Sequence, residues 1–143
     1  MKKVVIIGGG TGLSVMLRGM KHIDDIQLSA IVTVADDGGS TGRIRDSYQI
    51  PAMGDIRHVM CAMAEEESIF TDLMNYRFGG EGDIAGHNLG NLLLLALSQT
   101  TGSFMEAIRT FSRVLKVRGK IIPSTLEIVT LFAIMEDGTI VRG

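Results

Sequence analysis

The sequence predicts an α/β domain built on a mainly parallel sheet, with a hairpin at its C-terminal end. Three observations carry this. Two short, almost wholly apolar runs, Lys3 to Ile7 and Leu28 to Val34, have the length and β-branched content of strands covered on both faces. Between them Leu13, Met16, Leu17 and Met20 recur at i, i+3, i+4 and i+7, so strand, helix and strand fit as one βαβ unit of about thirty residues. Glycine supplies 18 of 143 residues and is gathered at the ends of these segments, where average usage of about 7% would give roughly ten.

The first strand ends in the cluster Gly8, Gly9, Gly10 and Gly12, and the helix after it closes near Lys21 and His22. The second strand ends at Val34. From Ala35 to Gly54 no period is visible, and a structureless stretch of that length inside a compact domain reads as functional. Ile56, Val59, Met60 and Met63 mark a second helix, and Ile69, Phe70, Leu73 and Met74 a third. Phe78 to Gly86 is another glycine loop. The stretch from His87 to Ser98 is apolar nearly all round after its first turn, which predicts a central buried helix. Ser103 and Glu106 form a capping-box pair before the stripe Phe104, Ala107, Ile108, Phe111 and Leu115. After Pro123, Leu126 to Met135 is strand-like, and Asp137-Gly138 suits a hairpin turn into Thr139 to Val141. A last strand this short reads as cut, so residues 1–143 are expected to be a single domain at the N-terminal part of a longer protein.

Composition narrows the function. The length is enough for one core without disulfides. The lone Cys61, beside an apolar stripe, reads as a packing residue. With no apolar run of transmembrane length and no basic leader, the expectation is a cytoplasmic protein without membrane insertion. A net charge of −2 and a pI near 5.9 lack the basic face that nucleic acid requires. No Ser-His-Asp, CxxC or H-E-x-x-H arrangement is present.

The chemistry is concentrated in four stretches. "GGGTGLS" joins strand to helix, where Gly9, Gly10, Thr11 and Gly12 allow backbone N–H groups to approach an anion at the helix N-terminus. Neither the strict dinucleotide fingerprint nor the Walker pattern is met, which counts against an NAD-binding oxidoreductase. "VADDGGSTGRIRD" follows the second strand at the edge where open α/β sheets bind ligands. There Asp36 or Asp37 suits a ribose hydroxyl or a divalent cation, Gly39 and Ser40 are candidate ligand contacts of the same loop, and Arg43 and Arg45 suit a phosphate clamp. Asp55 leads a helix as N-cap or ligand group, with His58 one turn on. His87, Asn88 and Asn91 place polar groups at the entry of an apolar helix, where each needs a partner from a ligand, a neighbouring loop or water.

"GGGTGLS", "VTVADDGGSTGRIR", "GDIRHVM", "GHNLGNLLL" and "VRGKIIPST" together resemble the bacterial gluconeogenesis-factor family (YvcK-like), within the CofD-like superfamily of 2-phospho-lactate transferases. The resemblance runs over essentially the whole chain. It implies a Rossmann-like three-layer form of the α/β fold and a nucleotide-sugar ligand such as UDP-N-acetylglucosamine. It also implies a role in cell shape and cell-wall maintenance during gluconeogenic growth; a non-catalytic regulator is the favoured expectation and a magnesium-assisted phosphotransferase the alternative. In the transferase branch, a phospholactyl group passes from a guanosine diphosphate conjugate to a deazaflavin, with release of GMP and help from magnesium. By position, Asp37 and Asp55 match the aspartates that serve the metal there, although "MGDIRH" replaces that branch's proline-aspartate stretch. Magnesium is thus the one cofactor candidate, a phosphorylated small molecule the expected partner, and a homo-oligomer an open option.

Overall fold

A computed structural model describes all 143 residues. In chain order the elements are β1 (Lys2–Gly8), α1 (Gly10–Met20), β2 (Ile26–Val32), α2 (Gly39–Ser47), α3 (Gly54–Met63), α4 (Ile69–Asn75), α5 (Leu89–Thr101), α6 (Phe104–Val114), β3 (Lys120–Pro123), β4 (Phe132–Ile134) and β5 (Ile140–Arg142). The first three strands form a parallel sheet in the order β1-β2-β3, and β4 and β5 pair as an antiparallel hairpin. This is the predicted α/β class. No helix is long and apolar enough to cross a membrane.

Register fixes the working edge. Gly8 pairs with Val32, so β1 and β2 end level, and Thr33 N–H extends the ladder to the Gly8 carbonyl at 3.0 Å. Both strands therefore release their glycine-rich loops side by side. One sheet face is in the core: Leu28, Ala30, Val32 and Ile121 are buried, with Val4 and Ile6 packed against the same cluster. The other face is open, with Val5 57%, Ile7 75% and Ile122 39% exposed. The expected cover on both faces of the first strand is thus absent, because α1 and α3 pack against each other on the one buried side.

The central buried helix is α3, not the helix predicted from His87 to Ser98. Every residue of α3 except Asp55 and His58 is buried, and it touches α1, α4, α5, β2 and β3. On α5 only Gly90, Asn91, Leu94 and Leu95 are buried, leaving Leu92, Leu93 and Leu97 half covered. Two stripes also rotate. In α1, Leu13, Ser14 and Leu17 face inward while Met16 is exposed, and in α4 the buried residues are Thr71 and Met74 rather than Ile69, Phe70 and Leu73. The α6 stripe is buried as predicted. Ser103 accepts from Glu106 N–H at 3.2 Å, but the Glu106 carboxylate pairs with Arg109, so the capping box is only half formed.

Two elements were absent from the sequence reading. Helix α2 occupies part of the stretch without a period, since its buried side consists of Ser40, Thr41, Gly42 and Arg45 with Ile44 as the one apolar residue. A Cβ on Gly42 would sit 1.9 Å from the Asp37 carbonyl oxygen, so this helix packs by small residues and close backbone approach. Strand β3 is four residues long and ends at Pro123, too short for its alternation to register as a period. The strand-like run from Leu126 narrows to Phe132–Ile134.

Candidate functional site at the carboxyl edge of the sheet

Helices α1, α2 and α3 begin without a side-chain cap. Their N-cap residues are Gly9, Gly38 and Met53, whereas α4, α5 and α6 are capped by Ser68, Asn88 and Ser103. Uncapped first turns carry free N–H donors and the positive end of the helix dipole. The three starts are adjacent. A Cβ on Gly9 would lie 2.3 Å from Thr33 Cγ2 and 2.8 Å from Asp55 Oδ2, so the first loop rests on β2 and on α3. A Cβ on Gly54 would lie 3.0 Å from Thr41 Oγ1 and 3.8 Å from Asp36 Oδ2, which brings α2 and the β2 loop to the same point.

The glycines divide into two kinds. Gly9 is required by close packing against protein. Gly10, at φ +65°, Gly12, and Gly39, at φ +50°, have no atom within 4 Å of an added Cβ, so their missing side chains leave free space beside the uncapped donors. Thr11 and Gly12 are exposed.

Polar partners assign the remaining predicted residues. Ser40 Oγ accepts from Asn88 N–H at 3.1 Å and bonds His87 Nδ1 at 2.9 Å. Asn88 Oδ1 accepts from Asn91 N–H at 3.0 Å, and Asn91 Oδ1 accepts from Arg57 Nε at 3.1 Å. Asn88 and Asn91 are 1% and 2% exposed, so their entry-turn polarity is met by α2 and α3, and they position the site rather than line it. Arg43 reaches the Ala85 and Asp83 carbonyls at 2.6 and 2.8 Å, pinning the glycine loop before α5 instead of clamping the first two loops.

The two neighbouring aspartates separate. Asp37 is held on both oxygens, by Arg45 at 2.5 Å and Arg142 at 2.9 Å. The Arg142 hydrogen bond first, and the charges of both arginines, hold its carboxyl below the ordinary value. Asp37 therefore does not fit a metal ion, which would have to displace two guanidinium groups. Asp36 is exposed and accepts only from Gly38 N–H, at 3.0 Å, and Asp55 is half-buried with no ion pair. Both carboxylates border the uncapped helix starts, Asp55 Oδ2 beside Gly9 and Asp36 Oδ2 beside Gly54, and carboxylate oxygen is the donor type magnesium takes. No cluster of three or more metal-ligating side chains is present.

Sequence reasoning missed Thr33, Thr41 and Arg57. Arg57 is 4% exposed at the meeting point of α3, α4 and α5, and burial lowers its pKa. Burial, then the Arg57 charge, lowers that of His58, and burial, then the Arg43 charge, lowers that of His87, so the neutral ring is favoured at both. A cavity of about 280 Å³ beside Lys21 and Arg118 lies at the amino ends of β1 and β2, away from this edge.

Residues 4–143 match the family described as 2-phospho-L-lactate transferase CofD. The chain is 51% identical to the gluconeogenesis factor of Bacillus subtilis over 141 residues, covering 99% of this chain and 44% of that relative. It is 53% identical to the gluconeogenesis factor of Listeria monocytogenes with the same coverage. It superposes on the crystal structure of a Bacillus halodurans protein with a TM-score of 0.93 at 49% identity, covering 100% of this chain and 46% of that one. The chain thus spans less than half the length of the relatives it matches.

Proposed function

The chain belongs to the 2-phospho-L-lactate transferase CofD family, and on that premise we propose that it binds a nucleotide-sugar of the UDP-N-acetylglucosamine type as a regulator. The observation that carries this is the meeting of three uncapped helix N-termini at the carboxyl edge of the sheet. N–H groups of an uncapped first turn have no partner in the helix, and a diphosphate supplies several acceptors at once. In this reading the diphosphate lies over Gly10 to Gly12 and Gly39, and Asp36 accepts from a ribose hydroxyl. Nucleotide-sugar sensing needs no catalytic group. The relatives' name, gluconeogenesis factor, supports a role in gluconeogenic growth, and we extend that role to cell shape and cell-wall maintenance.

Gly12→Ala provides the test. An added Cβ there meets no protein atom, and alanine is favoured over glycine in a helix by about 0.5–1 kcal/mol. The variant should melt no lower than the parent. Its affinity for UDP-N-acetylglucosamine in calorimetry should fall at least about tenfold, or 1.4 kcal/mol. Equal affinity in parent and variant rejects the placement.

A second reading is favoured by the free Asp36 and Asp55 carboxylates: a magnesium-assisted phosphotransferase. These residues would hold the ion, which would neutralise charge on a transferring phosphoryl group. Incubation of the full-length protein with magnesium and labelled nucleotide conjugates should then release a nucleoside monophosphate. No turnover across such a panel counts against it.

A further inference from the structure

Arg57 is a buried cation in none of the molecule's ion pairs. Its Nε donates to Asn91 Oδ1 at 3.1 Å, one terminal nitrogen donates to Asn75 Oδ1 at 2.5 Å, and the other meets His58 Nε2 at 2.9 Å. A guanidinium has only donors and keeps its proton at any ordinary pH. The His58 nitrogen in that contact must therefore be the acceptor. We propose that Arg57 locks His58 in the neutral tautomer with its proton on Nδ1, and that this N–H is a ligand donor of the site.

Three observations support the second half. His58 makes no other hydrogen bond within the protein, so Nδ1–H is left for a ligand or water. It is the one exposed residue of α3, where Asp55 is half-buried and all others are buried. It lies one turn on from Asp55 and so on the same side of α3, and Asp55 borders the first uncapped helix start, its Oδ2 2.8 Å from a Cβ added at Gly9. The acceptor is an oxygen of the nucleotide-type ligand, phosphate or carbonyl, because an N–H donor pairs with an acceptor and not with a second donor. This donor role rests on the ligand reading above. The tautomer does not, since the protein sets it alone.

Long-range imidazole ¹⁵N spectra of the ligand-free full-length protein at neutral pH decide the tautomer. The expected pattern for His58 is protonated Nδ1 and bare Nε2. Protonated Nε2, or an imidazolium, overturns the lock. Calorimetry with UDP-N-acetylglucosamine decides the donor role. His58→Asn keeps an amide N–H near the place of Nδ1 and should retain affinity within about threefold. His58→Phe should lose about tenfold, and equal binding by the two variants overturns the role. Absence of binding by the parent protein would reject the ligand reading and the donor role with it, while the spectra still decide the lock.

Discussion

Asp37 and His58 show how single residues acquire their roles from neighbours, distant along the chain for Asp37 and adjacent for His58. Asp37 is bound by Arg142, 105 residues on, and its lowered pKa has a definite consequence for stability. The group stabilises the fold above its unfolded value near 3.8, and that contribution disappears as pH falls through the lower folded value. His58 and His87 act in a higher window. Both have folded values below the ordinary 6.5, so their contribution is full above pH 6.5 and is lost on acidification below it. Melting temperature is expected to fall between pH 7 and pH 5.5, and His58→Asn combined with His87→Asn should flatten that slope. An unchanged slope in the double variant would contradict the assignment. Burial raises the pKa of the Cys61 thiol, which should react with a thiol reagent only after unfolding.

Among the elements, the helix most important to the site is the one least visible in the sequence. Hydrophobic period reveals β1, β2, α3 and α6, because their buried faces are apolar. Helix α2 hides its Ser40, Thr41 and Gly42 instead, which no apolar pattern can announce. The glycine clusters were legible as loops at the ends of strands and helices, but not which glycine serves which purpose. Gly42 is occupied by the Asp37 carbonyl, and Gly12 faces open space. The contrast predicts opposite outcomes for one substitution: Gly42→Ala should destabilise by about 1–3 kcal/mol through overpacking, while Gly12→Ala should not destabilise at all. Equal melting temperatures for the two would refute the distinction. Arg43 and Arg45 were equally suited to a phosphate on sequence alone. Only the folded chain shows Arg43 on the 83–85 carbonyls and Arg45 on Asp37, Asp36 and Val129.

At the scale of the molecule, the sheet has one finished face and one open one. Val5 and Ile7 stand exposed on edge strand β1, and Leu131, Phe132, Ile134 and Ile140 stand exposed on and beside the hairpin. Contiguous apolar surface on an edge strand promotes association. Residues 1–143 alone should therefore self-associate with rising concentration in sedimentation, and Ile7→Lys should weaken that; a monomer at all concentrations would contradict it. The open face lies away from the core side of the sheet, whereas the carboxyl edge gathers the loops after β1 and β2 with the starts of α2, α3 and α5. The account rests on the uncapped starts of α1, α2 and α3 receiving one anionic ligand together. Backbone amide shifts in ¹⁵N spectra during titration with UDP-N-acetylglucosamine test this most directly. Amides of Gly10 to Leu13, Gly39 to Thr41 and Gly54 to Ile56 should move in concert at one apparent affinity. Shifts confined to the cavity beside Lys21 and Arg118, with those amides still, would contradict it.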